Sequence, residues 1–354
     1  MVLKKAQNVY ELLENCPKNE TIRDNLIKAW WKVNDPKYKK ILCSISGGGD
    51  SDVMLDIVWK CDKDNKVDYV WFDTGIEYQA TKDHLKYLED KYGIGIMRYK
   101  AIKSVPLSCR QYGQPFLSKL VSAMIYALQR QNFKWEDKPY EELQKEYKGI
   151  DCYLKWWCNY GSENHKHYNQ YDIGYKKYLK EFLIQNPPVF KISSKCCDYA
   201  KKKVSHSCIK LGKYDLVLVG VRKAEGGIRS VAYKSCFDET SKGYDNYRPV
   251  FWYSDSDKAD YENTYNIKHS DCYEVYGFKR TGCVGCPYNQ KLDTDLAIIE
   301  KYEPKLYKVV NNVFKDSYEY TKKYKEFCKQ MDEKYGSYAN YLKLKKEGKV
   351  QNEL

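Results

Sequence analysis

The sequence predicts an α/β fold organised around a doubly wound, mostly parallel sheet. Short apolar runs that end at turn residues alternate with segments whose apolar residues recur every three or four positions. The first pattern is typical of buried strands and the second of amphipathic helices. Their alternation indicates parallel strands joined by right-handed helical crossovers. Strands are predicted at residues 41–45, 67–72, 94–99 and 215–221.

The same patterns divide the chain into three predicted parts. Residues 1–38 form a helical N-terminal segment, residues 39–290 form the α/β domain, and residues 291–354 form a helical C-terminal tail. The α/β domain carries a helical insertion at about 120–190, in which tryptophans and tyrosines are mixed with lysines and glutamates. Aromatic side chains in such a segment either stack on nucleic-acid bases or fill a core. Core filling is the favoured interpretation.

The composition limits the class of protein. The chain has 354 residues and a net charge of +13, and none of its apolar runs approaches the length of a membrane span. The N-terminus lacks the apolar segment of a secretory signal, so we expect a cytoplasmic protein without membrane partners. The charge fits a nucleic-acid partner, an anionic nucleotide, or simply a lysine-rich composition, and does not decide among them. The 14 cysteines favour metal or redox chemistry over disulfides in a reducing compartment.

A glycine-rich loop between the first strand and the next helix carries the clearest chemical signal. It reads Ser46-Gly47-Gly48-Gly49-Asp50-Ser51. Consecutive glycines let the backbone approach a ligand closely, and the N–H groups at the start of a helix suit phosphate. Either Asp50 or Ser51 is expected to cap that helix. The loop is neither a Walker A loop nor a dinucleotide fingerprint. The alternative is a strand–helix turn that binds nothing.

The loop resembles the Ser-Gly-Gly-x-Asp-Ser loop of the N-type ATP pyrophosphatase, or PP-loop, superfamily. The second strand ends in a segment similar to the Asp-Thr-Gly-x-Glu-Phe motif of the phosphoadenosine phosphosulfate (PAPS) reductase branch. The resemblance implies an adenine nucleotide alpha hydrolase-like fold that binds ATP or an adenylyl-sulfate nucleotide. It also implies Mg²⁺ near Asp50 or Asp73, bridging the phosphates. The implied nucleotide-binding residues outside the loop are Asp73, Thr74, Gly75 and Glu77.

A third strand end is positively charged. After residues 215–221 come Arg222, Glu225 and Arg229, which match the family pattern Gly-x-Arg-x-x-Glu-(Ser/Gly)-x-x-Arg. By resemblance all three contribute to the nucleotide site. Asp50, Arg222 and Arg229 are the implied catalytic residues, with the arginines stabilising charge on the leaving phosphate or sulfate. The alternative is that these arginines only pair with carboxylates of the protein.

Two pairs of cysteines provide a second chemical signal. They are Cys196-Cys197 and Cys283-x-x-Cys286. The spacing resembles that of the [4Fe–4S] adenylyl-sulfate reductases, which implies a cluster held by these four thiolates. Zinc is the second interpretation and a redox-active Cys-x-x-Cys the third. The remaining cysteines that are able to replace a ligand are Cys208, Cys236 and Cys272.

These motifs favour an enzyme that reduces an adenylyl sulfate. However, the chain lacks the C-terminal Glu-Cys-Gly-Leu-His motif of assimilatory reductases, and its last cysteine, Cys328, lies in a helical context. An ATP-driven sulfurtransferase acting on DNA or tRNA uses the same catalytic core, and the net charge fits it slightly better. A protein partner that delivers electrons or sulfur is compatible with both activities. A third interpretation is a non-catalytic subunit that senses a nucleotide or a cluster.

Overall fold

The computed structural model describes residues 4–162, 168–169, 171–226 and 232–350. The chain divides into two compact units, each assembled from separate stretches of sequence. The first unit comprises Met1–Ser104, Tyr199–Val284 and Lys301–Glu303. The second unit comprises Val105–Asp198, Gly285–Glu300 and Pro304–Leu354.

A six-stranded sheet forms the centre of the first unit. Its strands are β1 (Ile41–Ile45), β2 (Val67–Asp73), β3 (Ile96–Lys100), β4 (Leu216–Val219), β5 (Phe237–Asp238) and β6 (Asp245–Tyr247). Their order is β3-β2-β1-β4-β6-β5, and every pair is parallel except β5 with β6. The predicted doubly wound, mostly parallel sheet is therefore confirmed. The strands β5 and β6 were not predicted, because two or three residues with Asp and Asn among them carry no strand pattern.

The helices follow the strands in the alternation that the sequence predicts. In chain order they are α1 (Val9–Leu13), α2 (Glu20–Asn34), α3 (Gly49–Cys61), α4 (Gln79–Tyr92), α5 (Val105–Tyr112), α6 (Lys119–Arg130), α7 (Tyr140–Glu146), α8 (Asp151–Cys158), α9 (Leu179–Gln185), α10 (Lys195–Cys197), α11 (Lys203–Gly212), α12 (Asp255–Tyr265), α13 (Asp271–Glu274), α14 (Leu292–Tyr302), α15 (Pro304–Val313), α16 (Lys315–Tyr335) and α17 (Tyr338–Lys346). A π-helical stretch, Asp198–Lys202, joins α10 to α11, and 3₁₀ turns lie at Ile173–Tyr175 and Lys223–Glu225. Among the described residues, no helix is long and apolar enough to cross a membrane.

The core of the first unit buries the helix that follows the glycine-rich loop. Nearly every side chain of α3 is buried, including its polar and acidic ones. Asp56 accepts hydrogen bonds from Tyr92 Oη at 3.0 Å and Tyr261 Oη at 2.6 Å, and its carboxylate lies 2.6 Å from Lys60 Nζ. A buried carboxylate is tolerated only when it is paired in this way. The sheet and α3 thus form a rigid base for the loop.

The core of the second unit is aromatic. Trp156, Trp157 and Phe182 from the predicted insertion are almost completely buried, together with Tyr178. Helices near the C-terminus add further side chains to this core, among them Tyr324. Most of the large aromatic residues of the insertion therefore fill a core, as the favoured interpretation held, whereas Tyr160, Tyr171 and Tyr175 are exposed.

Candidate functional site

The glycine-rich loop lies where the strand order of the sheet reverses. It leaves β1, whose neighbours are β2 and β4, and parallel sheets bind ligands beyond the carboxyl ends of their strands at such a point. Gly47 has φ +68°, and a Cβ there would lie 2.7 Å from Thr81 Cγ2. Both facts require glycine at this position. The Ser46 N–H donates to Ser51 Oγ at 2.9 Å, which closes the loop on itself.

The start of α3 differs from the expectation. Gly48 is the N-cap, and it makes no side-chain cap hydrogen bond. Asp50 and Ser51 lie inside the first turn of the helix, so the prediction that one of them caps it was wrong. The reason is that Ser51 Oγ is used by the Ser46 N–H, and Asp50 turns toward an arginine. Without a side-chain cap, the helix N-terminus keeps the positive end of its dipole available to an anion.

The end of β4 packs directly against the loop. A Cβ at Gly220 would lie 2.9 Å from the Cα of Ser51 and 3.0 Å from the carbonyl oxygen of Asp50. These are backbone atoms of a buried helix, which cannot move aside as a flexible side chain can. Gly220 therefore fixes the distance between the loop and the β4 strand end. The sequence shows this glycine but not the contact that requires it.

Arg222 joins the loop to a carboxylate of α12. Its Nε donates to Asp50 Oδ1 at 2.8 Å and its Nη1 donates to Asp255 Oδ1 at 2.9 Å. Burial raises the pKa of Asp50, against the opposing effect of the Arg222 guanidinium. Arg222 is only 8% exposed, so its ion pair with Asp50 is shielded from solvent, whereas Asp255 is exposed. The carboxylate pairing that was the alternative for Arg222 is thus present, and ligand contact by this arginine stays a prediction.

The end of β2 forms a second turn that is closed by its own side chains. The Gly75 N–H donates to Asp73 Oδ1 at 2.8 Å, and Thr74 Oγ1 donates to Glu77 Oε1 at 2.5 Å. Gly75 has φ +87°, and a Cβ there would lie 2.7 Å from Ser104 Cβ. Burial raises the pKa of Glu77, while Thr74 and Lys201 act in the opposite direction. The turn holds Asp73 at the carboxyl end of its strand, as predicted for a pocket residue.

The other two predicted residues after β4 are less defined. Glu225 ends a 3₁₀ turn, and its carboxylate lies 4.0 Å from Arg280 Nη2. Arg229 lies outside the described residues, so its predicted role stays a prediction.

Three of the four predicted cysteine ligands, Cys196, Cys197 and Cys286, lie in the second unit. A further cysteine of that unit, Cys109, lies beside Cys196. Cys196 and Cys197 are on α10, which contacts α5, the helix that carries Cys109. The Cys196 thiol is hydrogen-bonded to Cys109 and Cys197, and it interacts electrostatically with Cys286. The hydrogen bond with Cys109 is the main cause that raises the pKa of Cys196. Tyr318 adjoins both Cys286 and Cys109, which places all these thiols in one neighbourhood.

Cys283 belongs to the first unit. The N–H of the next residue, Val284, donates to the carbonyl oxygen of Ile76 at 3.3 Å. This bond ties the Cys-x-x-Cys segment to the turn after β2. The sequence pattern pairs Cys283 with Cys286, but the unit boundary falls between them.

The chemistry of the four neighbouring thiols, those of Cys109, Cys196, Cys197 and Cys286, limits which metal they are able to bind. Within the part of the chain that the structure describes, no three His, Cys, Asp or Glu side chains are arranged to hold one metal ion. Zinc requires its four ligands around a single ion. A [4Fe–4S] cluster binds each thiolate on a different iron, so its ligands stand farther apart. Four thiols are the type of donor that such a cluster binds, and the cluster itself stays a prediction.

Comparison with known proteins identifies the segment that contains the loop. Residues 40–118 match the family described as the phosphoadenosine phosphosulfate reductase domain. They include the glycine-rich loop and the turn after β2. The match covers this segment and less than half of the chain. The predicted resemblance is therefore confirmed on the stretch that carries its first two motifs.

Solved structures of similar architecture share little sequence with the chain. A PAPS reductase from Candida auris, in a phosphate complex, is 13% identical, with 80% of this chain and 98% of that chain covered and a TM-score of 0.39. The U34-tRNA thiolase of Methanococcus maripaludis, with its [4Fe-4S] cluster, is 14% identical, with 84% and 80% covered and a TM-score of 0.36. The NH3-dependent NAD synthetase of Campylobacter jejuni is 11% identical, with 89% and 96% covered and a TM-score of 0.34. No curated protein is similar enough to count as a match.

A buried charge network beside the PAPS reductase segment was missed by the sequence analysis. His269 Nδ1 lies 2.8 Å from Asp52 Oδ2, and His269 Nε2 lies 2.7 Å from Glu262 Oε1. Lys258 Nζ lies 2.6 Å from the same Glu262 oxygen. His84 Nε2 lies 3.0 Å from Asp52 Oδ2, close enough for an ion pair although not aligned as a hydrogen bond. Asp52 belongs to α3, so the network begins at the loop helix itself.

The pKa values of this network show how strongly its members are coupled. Burial alone would lower the pKa of His269, but its contacts with Asp52 and Glu262 raise it to about 9. Burial alone would raise the pKa of Asp52, but His269 and His84 hold it below its usual range. His269 is therefore protonated at neutral pH and bridges two carboxylates. Only the i, i+4 spacing of Lys258 and Glu262 on one helix was visible as a signal in the sequence.

Two further side chains lie over the first glycines of α3. Tyr273 Oη and Thr281 Oγ1 are 2.9 Å apart, and a Cβ at Gly48 would lie 3.1 Å from Tyr273 Oη. The Tyr273 hydroxyl also receives a hydrogen bond from the backbone of Gly49. The segment that contains α12 and α13 thus covers the helix N-terminus on which a phosphate would bind.

Proposed function

We propose that the chain is a PAPS reductase-family enzyme that binds ATP or an adenylyl-sulfate nucleotide and uses a cysteine-bound iron–sulfur cluster for sulfur chemistry. The observation that carries the nucleotide half is the glycine-rich loop at the reversal point of the sheet, inside the segment that matches the family. In this proposal the phosphates lie at the N-terminus of α3, against the N–H groups of the loop. The positive end of the α3 dipole favours the negative charge that the nucleotide brings.

Arg222 and Mg²⁺ have distinct places in this proposal. Arg222 is buried and already oriented by Asp50 and Asp255, so its planar fork is preorganised for a phosphate or sulfate oxygen. A divalent cation prefers carboxylate oxygens that are not held by another cation. Asp73 meets that condition better than Asp50, because the Asp50 carboxylate is the acceptor of the Arg222 Nε–H.

The iron–sulfur part of the proposal rests on the neighbouring cysteines of the second unit. Cys196, Cys197 and Cys286 are three proposed ligands, and the fourth is either Cys283 from the motif or Cys109, which is in contact with Cys196. When bound, such a cluster supplies electron transfer or a site for sulfur. Cys196 is 4% and Cys109 6% exposed, and this burial protects those two thiols from oxidation by solvent species, whereas Cys197, Cys283 and Cys286 are partly buried.

Reduction of an adenylyl sulfate is the reaction proposed first: a dithiol donor supplies two electrons and becomes a disulfide, the sulfate leaves as sulfite, and the nucleotide is released as its phosphate. Sulfur transfer to DNA or tRNA is the second candidate, because the net charge of +13 suits a polyanionic acceptor. In that reaction ATP activates the acceptor by adenylation and pyrophosphate leaves. Both reactions use the same nucleotide site, and they differ in whether the bond broken is in ATP or in a nucleotide that already carries sulfate.

Product analysis on the anaerobically purified protein tests both reactions. With a dithiol added as the electron donor, sulfite released from an adenylyl sulfate supports the reductase, and pyrophosphate released from ATP only with DNA or tRNA supports the transferase. An Arg222→Gln variant is expected to lower either rate about a hundredfold, because a preorganised charge is lost from the transition state. An Arg130→Gln variant, changed on α6 of the second unit, is the control. Nucleotide binding without any turnover would contradict the enzyme proposal and favour a sensor.

A further inference from the structure

Lys258 lies over the N-terminus of the helix that follows the glycine-rich loop. A Cβ placed on Gly49 would be 3.1 Å from Lys258 Nζ and 3.6 Å from Lys258 Cε. Gly49 is the first residue of α3, so the ammonium group lies at the position that the helix dipole makes attractive to an anion. The absence of a side chain at Gly49 is what lets the lysine approach the backbone this closely. No motif of the sequence points to this lysine.

The position of Lys258 is fixed through a closed chain of contacts. Lys258 Nζ lies 2.6 Å from Glu262 Oε1, and the same oxygen lies 2.7 Å from His269 Nε2. His269 Nδ1 then reaches Asp52 Oδ2 at 2.8 Å, on the first turn of α3. The chain of contacts therefore starts and ends at the loop helix. A lysine that served only to pair with Glu262 on the surface would need no such anchoring.

The ammonium group of Lys258 has N–H donors left for an anion. Asp52 and Glu262 are balanced by His269, which is protonated at neutral pH, and by Lys258. An ammonium group has three N–H donors, and Glu262 accepts one of them. Because Lys258 is 19% exposed at its side chain, the group opens to solvent on one side. A phosphate bound at the loop would accept hydrogen bonds from the remaining N–H donors of Lys258.

We propose that Lys258 binds the phosphate chain of the nucleotide at the glycine-rich loop and that His269 positions it by holding Glu262 and Asp52. The inference rests on the proposed nucleotide site and adds a cation from α12 that no motif assigns. Its ligand is the β- or γ-phosphate of a nucleoside triphosphate, or the terminal oxyanion of an adenylyl sulfate. These share a tetrahedral, anionic oxygen group, and the experiment separates them by comparing nucleotides.

The test measures equilibrium binding of AMP, ATP and an adenylyl sulfate to the full-length protein. Lys258→Ala is expected to weaken ATP binding about ten- to a hundredfold, the usual range for a charge-assisted contact, and to change AMP binding less than about threefold. Lys258→Arg should keep most of the ATP affinity. Lys268→Ala removes the same charge from an exposed residue of the same unit and is the matched control.

The role of His269 is tested by the same binding measurements, through the ratio of the affinity for ATP to the affinity for AMP. His269→Gln should reduce that preference, and the Lys258→Ala/His269→Gln double variant should lose no more than Lys258→Ala alone, because both act through one contact. Equal weakening of AMP and ATP by Lys258→Ala, or an additive double variant, would overturn the inference. If the wild-type protein binds none of the three nucleotides, the proposed function fails before the lysine is tested. Thermal unfolding of each variant separates misfolding from lost contact.

Discussion

The region around the glycine-rich loop and the group of cysteines in the second unit bury side chains of different chemistry. Beside the loop, carboxylates, histidines, a lysine and an arginine are buried but paired within about 3 Å, as the Asp52–His269 and Asp50–Arg222 contacts show. In the second unit, Cys109 and Cys196 are buried beside tyrosines such as Tyr318. Charges need partners to be buried, whereas thiols need none. In our proposal the first region therefore binds a polar ligand and the second a soft metal.

The largest expected effect is the loss of the cluster when a thiol is removed. Anaerobically prepared protein should contain about four irons and absorb near ~400 nm, and Cys196→Ser should abolish both signals. Comparing Cys109→Ser with Cys283→Ser then decides the fourth ligand, since only the true ligand lowers the iron content. Cys43→Ser is not a suitable control because Cys43 is buried in the sheet, whereas Cys152 is exposed, and Cys152→Ser should leave both signals unchanged. Zinc alone in the anaerobic protein would contradict the proposed iron–sulfur cluster.

The next largest effect is expected when a methyl group is added at Gly220, which follows β4 and packs against the loop. In Gly220→Ala the new Cβ would lie 2.9–3.0 Å from backbone atoms of Asp50 and Ser51, so the loop must shift. Overpacking of this kind costs ~1–3 kcal/mol of stability, and nucleotide binding should fall about tenfold or more. Isothermal titration with ATP measures the loss.

A matched variant shows whether the backbone contact is the cause. Gly95→Ala adds the same methyl group where nothing lies within 4 Å, and it should bind ATP like the wild type. Normal ATP binding by Gly220→Ala would mean that the loop geometry is not what the nucleotide recognises.

The smallest expected effect is a pH dependence of stability from the loop-side network. His269 is faced by Asp52 and Glu262, with Lys258 against Glu262 and the His84 ring against Asp52. Since its pKa rises from 6.5 to about 9, the stabilisation it provides is complete below pH 6.5 and is lost as pH rises through 9. The contribution is at most roughly 3 kcal/mol. The free energy of unfolding of wild type minus that of His269→Gln should shrink across this interval.

The thiol region provides the contrast for that measurement. Cys152→Ser should leave the pH dependence of unfolding unchanged, because Cys152 is exposed and belongs to the other unit. A constant difference between wild type and His269→Gln from pH 6 to pH 10 would show that His269 is not charged in the folded protein.

The motifs of the candidate site could be read from the sequence because each is local. The glycine-rich loop, the turn at Asp73–Glu77 and the Arg222 segment each lie within a few residues of a predicted strand, and the structure places each at the end of that strand. The helix cap was misassigned because Ser51 Oγ hydrogen-bonds to Ser46 instead, a choice that depends on the folded loop. The strands β5 and β6 are too short and polar to show a pattern.

The sequence by itself determined the α/β class, the mostly parallel sheet and the resemblance of the loop to a known family, because these depend on periodicity and on contiguous motifs. Only the tertiary structure decided which distant groups meet. Lys258 approaches Gly49 across more than 200 positions, and Cys109 meets Cys196 across more than 80. Neither contact has a signature in local spacing, since each is created by packing of helices that are far apart along the chain. For the same reason the aromatic insertion and the C-terminal helices share one core, which no local pattern reveals.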